Sequence, residues 1–280
     1  MAARDKEYEL KLNEEYYVVT ANNLIKGHQT MSLREAQLLF IAISQVVKED
    51  KDFKTYTTTV PELARFMGID ESSLYRDLKS ICKRLCQRVV EVQVGGENAK
   101  KDKWKIFQWI NRAEYDNGTL TIRLSDDIKP YLLNLNNYYT QTMLGILLSF
   151  KSYYTSRLYQ YLYAECGEKR NLRSEWTFSC EEIRELFQVD EKDSKGNYKK
   201  YKLPRDLLKN TIIAALNELN NSDYAYVWNY REHKSQKRGR PISGVSFSII
   251  FFPDGERKNA YLNRLPLLNG ENEQPENEDT

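Results

Sequence analysis

Residues 231–241 read REHKSQKRGRP and place Arg231, Lys234, Lys237, Arg238 and Arg240 within eleven positions. Cations at this density attract phosphate, and two further groups of the same chemistry occur. Lys199, Lys200, Lys202, Arg205 and Lys209 lie together with the amide of Asn210, and Ser72, Ser73, Tyr75, Arg76, Lys79 and Lys83 precede Lys100, Lys101 and Lys103. Residues 198–240 hold ten Lys/Arg against four Asp/Glu, and residues 72–105 hold nine against four. The formal net charge of +2 therefore averages over two basic regions and a terminal run, LLNGENEQPENEDT, with five acids and no base.

Other chemistries find less support. Among twenty tyrosines, Tyr153 and Tyr154 are candidate nucleophiles for nicking a DNA strand. That reaction needs a metal on the scissile phosphate, normally held by closely spaced histidines. The two histidines, His28 and His233, are far apart and no HxH occurs. Tyr153, Tyr154, Tyr159, Tyr161 and Tyr163 are better explained by helix packing. No Gly-rich phosphate loop supports nucleotide hydrolysis. Cys82 and Cys86 share an apolar helix face, Cys166 and Cys180 stand apart, and no CxxC pair occurs. Buried reduced thiols are expected, with no metal, no cofactor and no catalytic residue. No stretch approaches the roughly 18 apolar residues of a membrane span, and MAARDKEYEL has no apolar signal core. The expected location is cytoplasmic.

The elements that must position the basic groups repeat along the chain. TVPELARFMGID (59–70) and FSCEEIRELFQVD (178–190) coincide in their apolar positions when Leu63 is set on Ile183, an offset of 120 residues. Both copies open with a capping box, Thr59-x-x-Glu62 and Ser179-x-x-Glu182. Upstream of each lies a longer helix pattern, MSLREAQLLFIAISQVV (31–47, with its own box at Ser32 and Glu35) and SYYTSRLYQYLYAEC (152–166). Downstream, residues 72–89 are expected to bury Leu74, Leu78, Ile81, Cys82 and Leu85, and residues 204–220 to bury Leu208, Ile212, Ala215, Leu216 and Leu219. Strand-like sequence follows both. VVEVQV leads to WKIFQWINRAEY and TLTIRL, joined by the hairpin signal Asn117-Gly118, and YAYVWNY leads to VSFSIIFF.

Helix, short helix, turn, helix and hairpin is the order of a winged helix-turn-helix unit. The fold expected is α+β: two tandem winged-helix domains of similar plan with a disordered acidic C-terminal tail. The loops 95–103 and 191–200 read as polar and mobile. Lys199, Lys200, Lys202, Arg205, Lys209 and Asn210 then fall at the N-terminal half of a recognition helix. Arg231, Lys234, Lys237, Arg238 and Arg240 form a wing tip. The first unit repeats this with Ser72, Ser73, Tyr75, Arg76, Lys79 and Lys83 on its helix and Lys100, Lys101 and Lys103 on its hairpin. Each group alone could be an ordinary solvated face, or basic wings could meet an acidic protein. Two helices and two loops on the corresponding side of one unit favour double-stranded DNA. A winged-helix transcriptional regulator would use the same chemistry.

VVTANNLIKGHQTMSLREAQLLFIAISQVV (18–47) resembles the opening of the iteron-plasmid replication initiator family. LLSFKSYYTSRLYQYLYAEC (147–166) resembles the start of that family's second domain, and EEIRELFQV to ALNELNNSDYAYVW its continuation, so the likeness covers residues 18–252. LPRDLLKN departs from the pattern, which more often has an aromatic and fewer leucines before the basic residues. The resemblance implies two winged-helix domains on direct repeats, or iterons, at a plasmid origin in a bacterial cytoplasm. It implies origin opening and recruitment of the host initiator and the replicative helicase or its loader. It further implies a monomer–dimer balance in which dimers repress the initiator's own gene. On this reading residues 1–17 are an N-terminal extension. Residues 18–135 form a first domain for dimerisation and DNA-backbone contacts, 136–255 a second, more specific DNA-binding domain, and 256–280 the tail.

Overall fold

The three hydroxyl-x-x-Glu boxes do what their spacing predicts. In this computed structural model, which describes residues 6–95, 103–168, 171–236, 239–255 and 257–263, Ser32, Thr59 and Ser179 each accept from the amide three residues on. Glu35, Glu62 and Glu182 each accept from the cap amide in return. Lys100, Lys101, Lys237, Arg238 and the acidic run lie outside the described residues.

The first half runs β1 (Glu7–Glu9), β2 (Tyr17–Ala21), α1 (Asn22–Lys26), β3 (His28–Gln29), α2 (Leu33–Ile43), β4 (Thr55–Thr59), α3 (Val60–Phe66) and α4 (Glu71–Gln87). It continues with β5 (Val89–Gly95), β6 (Lys103–Gln108), β7 (Ile110–Asp116) and β8 (Thr119–Leu124), and a 3-10 turn leads to β9 (Tyr139–Met143) and α5 (Leu144–Ser149). The second half comprises α6 (Tyr153–Glu168), β10 (Arg173–Ser179), α7 (Cys180–Phe187), α8 (Pro204–Asn210), α9 (Ile212–Asn221), β11 (Ala225–Lys234) and β12 (Ile242–Phe251).

Each half holds a winged-helix unit. A strand precedes the capped helix, and the later hairpin pairs with it, giving the sheets β1-β4-β8-β7 and β10-β12-β11. The five residues expected to be buried on α4 are all buried, as are the five on the helical segment after residue 204. Leu63 and Ile183, the anchor of the repeat, are both fully buried. Asn117 and Gly118 take φ of 47° and 84°, the paired left-handed turn that closes β7 on β8. Gly244 is required for a different reason. A Cβ there would lie 2.3 Å from the Phe178 carbonyl oxygen, where β12 crosses the end of β10.

Several expectations are corrected. The strands β4 and β10 ahead of the capped helices make each unit three-stranded at its core. WKIFQWINRAEY is two strands, not one: it breaks at the buried Trp109, so β6 joins β5 and β3 in a separate sheet while β7 pairs with β8. The helix expected over 204–220 breaks at Thr211, whose φ of −121° and ψ of −90° leave the helical region. Its hydroxyl donates to the Leu207 carbonyl at 2.6 Å, the back-bond that bends helices. The N-terminal segment is not a free extension, since β1 pairs in parallel with β4 and Leu10 is buried. β9 pairs with β2 along its whole length, across the boundary drawn at 135. Residues 258–263 are helical, so the tail expected from 256 begins with structure. There Lys258 donates to the carbonyls of Asn220 (2.5 Å) and Ser222, and Tyr261 packs on Tyr226 and Phe252. Among the described residues no helix is long and apolar enough to cross a membrane.

Candidate nucleic-acid interface

The short helix α8 is fixed from below by Leu207 and Leu208, both buried. That leaves Arg205 and Lys209, one turn apart, on its exposed face. Asn210 is exposed too, but its amide donates to the Asp206 carbonyl at 2.7 Å, so it is partly committed to its own helix. Leu203, at the helix cap, is 62% exposed between Lys202 and Pro204.

The lead-in to α8 is ordered, contrary to the mobile loop expected at 191–200. Arg184, buried on α7, donates to the carbonyls of Val189 (3.4 Å), Lys200 (3.2 Å) and Tyr201 (2.6 Å). Its guanidinium lies 3.6 Å from the centroid of the Tyr198 ring. The carboxylate of Asp193 accepts from the amides of Lys195 and Asn197, both at 2.9 Å, and closes the turn. Those hydrogen bonds, the Asn197 amide first, hold its carboxyl below the ordinary range. Lys199, Lys200 and Lys202 are thereby presented on a fixed backbone, with Lys199 paired to Glu191. Sequence reading missed Arg184 because a lone arginine on an amphipathic helix reads as solvated.

The hairpin β11–β12 carries the wing. β11 leaves the C-terminal end of α9 and packs back along it, while β12 touches α8. A register shift between Trp228 and Arg231, with Asn229 at φ 54°, bends the strand just before the wing. Arg231, Lys234 and Arg240 are all exposed. The Ser235 amide donates to the Pro241 carbonyl at 2.9 Å, and Gly239 and Arg240 take positive φ to turn the chain.

The first domain does not repeat this layout. The hydroxyl of Ser72 (2.6 Å) and the amide of Ser73 (2.8 Å) both donate to Asp70, so these residues hold a carboxylate at the N-terminus of α4. Arg76 pairs with Asp77 at 3.2 Å, and Tyr75 meets Tyr115 of β7 edge-on at 6.5 Å. Lys79 and Lys83 remain exposed. They border a groove of about 670 Å³ between α4 and β7, floored by Leu78, Cys82 and Leu120. The wing of this unit is the tight β7–β8 turn at Asn117-Gly118. Lys103 begins β6 instead, on the separate sheet β3-β5-β6, so the basic hairpin is not the winged-helix wing.

The other candidate residues pack in or against the core. Tyr153 is half-buried with its hydroxyl enclosed, and burial pushes that hydroxyl up to about 12. Tyr154 stands against Phe187 at 5.0 Å and shares a hydrogen bond with Tyr201. None of the four cysteines forms a disulfide, and three of them are buried. Among the described residues no cluster of three His, Cys, Asp or Glu side chains could hold a metal.

Residues 17–163 match the family described as "Initiator Replication protein, WH1" and residues 179–249 match "Initiator Rep protein, WH2". This chain belongs to the initiator replication protein family. Its two winged helices are that family's WH1 and WH2. A replication initiation protein of Escherichia coli is 23% identical over 239 residues, spanning 84% of this chain and 70% of the relative. The solved structure of Pi initiator protein in complex with iteron DNA superposes with a TM-score of 0.64 at 19% identity, covering 86% of this chain and all of that one. At that identity the likeness is one of fold.

Proposed function

We propose that this initiator family member is a sequence-specific double-stranded DNA-binding protein that recognises repeated sites, iterons, at a plasmid origin. Binding there promotes opening of the origin and recruitment of the host initiator and the replicative helicase or its loader. The observation that carries the reading is the second domain's convergence of exposed cations. Lys200, Lys202, Arg205 and Lys209 run into and along α8, and Arg231, Lys234 and Arg240 lie on the hairpin whose second strand, β12, touches α8. The helix supplies groups for base edges and the wing supplies charge for phosphate. The first domain's helix carries Asp70, Glu71 and Asp77 beside its cations. It is assigned the weaker, backbone-directed share.

Self-association belongs to the same proposal. β6 is an edge strand, and its outer face exposes Trp104 (58%) and Ile106 (48%) beside Val89 (44%). An open edge with large apolar side chains is a surface for pairing with a second copy, which suits a dimer that represses the initiator's own gene.

The test is a titration of the full chain against duplexes carrying the tandem repeats that neighbour its gene, with shuffled duplex as competitor. Arg205→Ala and Lys209→Ala are each expected to weaken specific binding by about 1–3 kcal/mol where the side chain reaches a base edge. Competitor-resistant binding that survives both changes would remove α8 from the specific contact.

A further inference from the structure

We propose that Arg157 is a positioning residue that locks the two winged helices in one relative orientation. The chain then reads the two halves of its DNA site at a single spacing. This rests on the DNA-binding reading above.

Arg157 lies on α6 and is 2% exposed. Its guanidinium bridges the domains. Nη1 donates to the Ile25 carbonyl and Nη2 to the Gly27 carbonyl at 2.8 Å, both in the first domain. Nε donates to the Leu186 carbonyl at 3.4 Å, in the second. These acceptors are backbone carbonyls, not carboxylates. Ile25 and Leu186 sit in the last turns of α1 and α7, where carbonyls lack helical partners and carry partial negative charge. One buried cation thus caps the ends of two helices from two domains. Burying a guanidinium without a carboxylate is costly, and it is tolerated only where the acceptors are held in place. A planar fork reaches three carbonyls in diverging directions, which the single ammonium of lysine does not.

The same face of α6 completes the seam. Glu165 and Glu168, two and three turns beyond Arg157, take Lys26 of α1 at 2.5 and 2.8 Å. The Asn22 amide donates to Glu168 at 2.8 Å, while its oxygen accepts from Thr140 of β9 at 2.7 Å. On the first-domain side, Gly27 is pressed so closely on β5 that a Cβ would lie 2.8 Å from both the Glu91 carbonyl and the Val90 side chain. β5 follows directly from α4. On the second-domain side, α7 packs on α8. Arg157 therefore stands between α4 and α8, linked to the first through the α1 turn and β5 and to the second through α7.

Two rigidly joined readers gain the full benefit of a correctly spaced site and lose it when the halves are rotated apart. Two loosely tethered readers lose far less. The experiment uses the full chain and a duplex enriched for wild-type binding from a random pool, with five base pairs then inserted between its two protected halves. Five base pairs is about half a helical turn. Wild type is expected to lose about 100-fold in affinity on insertion, and Arg157→Lys less than about tenfold, from a weaker start on the parent duplex. Lys26→Glu, at the more exposed rim of the seam, should move the same way, and Lys26→Glu combined with Glu168→Lys should restore the wild-type penalty. Lys26 variants carry the test if Arg157→Lys does not fold. Equal insertion penalties in folded variants and wild type would overturn the positioning role. Failure to enrich any duplex would instead overturn the DNA reading on which it rests.

Discussion

Neutralising the wing should change how binding responds to salt more than what sequence is bound. Arg231→Gln, Lys234→Gln and Arg240→Asn together remove three exposed cations from β11 and the turn after it. None of the three is a core residue, so folding stability should stay within about 0.5 kcal/mol per site. Asparagine suits position 240 because φ there is 44°, a left-handed conformation it tolerates. If each cation meets one phosphate, three contacts at about 0.9 each flatten the log–log salt slope by about 2.7, so the variant loses about 40-fold less affinity than wild type between roughly 50 and 200 mM salt. The ratio of specific to competitor binding should change little, since base edges are assigned to Arg205 and Lys209. Fluorescence anisotropy titrations of one labelled duplex over that salt range measure both quantities. Lys199→Gln serves as an internal control with a smaller expected change, because Lys199 is already paired with Glu191. A slope identical to wild type in the triple variant refutes the wing's contact with phosphate. A collapse of specificity at unchanged slope would reassign the wing to base reading.

Two further outcomes test the first domain. Glu35 is fully buried and accepts from Arg84 at 2.5 Å and Arg88 at 2.7 Å. Burial alone would raise its carboxyl, but the hydrogen bonds from Arg88, Arg84 and the Ser32 amide outweigh it and hold the group below its ordinary range. A depressed folded value gives stabilisation that is present above about pH 4.3, the unfolded value, and lost as pH falls through the folded one. Glu35→Gln should therefore cost about 2–4 kcal/mol at neutral pH, with the gap to wild type closing below about pH 4 in thermal melts. A gap that persists undiminished at pH 3 contradicts the ion-pair account. Trp104→Lys with Ile106→Lys should leave the fold intact and shift any self-association toward monomer in sedimentation runs. A dimer unaffected by both changes would show that pairing uses another surface.

Local signals in the sequence translated directly into structure. Capping boxes, the Asn117-Gly118 turn and the helical spacing of Leu74, Leu78, Ile81, Cys82 and Leu85 act within one or two turns, so they are visible in a short window. The break at Thr211 was hidden because Leu208, Ile212, Ala215 and Leu216 keep helical spacing straight through it. The break at Trp109 left a trace. Trp109 and Ile110 are adjacent and both buried, which strict strand alternation forbids. The parallel pairing of β1 with β4 and the antiparallel pairing of β9 with β2 join distant segments, and no local pattern encodes them. Arg157 and Arg184 were illegible for the same reason. Both sit on helices where a charged residue reads as solvent-facing, and the carbonyls that bury Arg157 lie as far as 132 residues away.

The two domains use one plan unequally, and the inequality follows from small local choices. In the first, a two-residue turn shortens the wing, Asp70 and Asp77 offset the cations of α4, and the basic hairpin is moved to another sheet. In the second, a long hairpin bends at Asn229 and Arg184 fixes a basic lead-in ahead of α8. Electrostatic attraction therefore concentrates on the second domain. The first adds discrimination chiefly if its position is fixed, because a weak reader held in register contributes where a tethered one is averaged away. The buried Arg157 supplies that fixity, and its cost is understandable on those terms. An apolar seam could hold two domains together as strongly, whereas directional bonds to three carbonyls also set the angle between them.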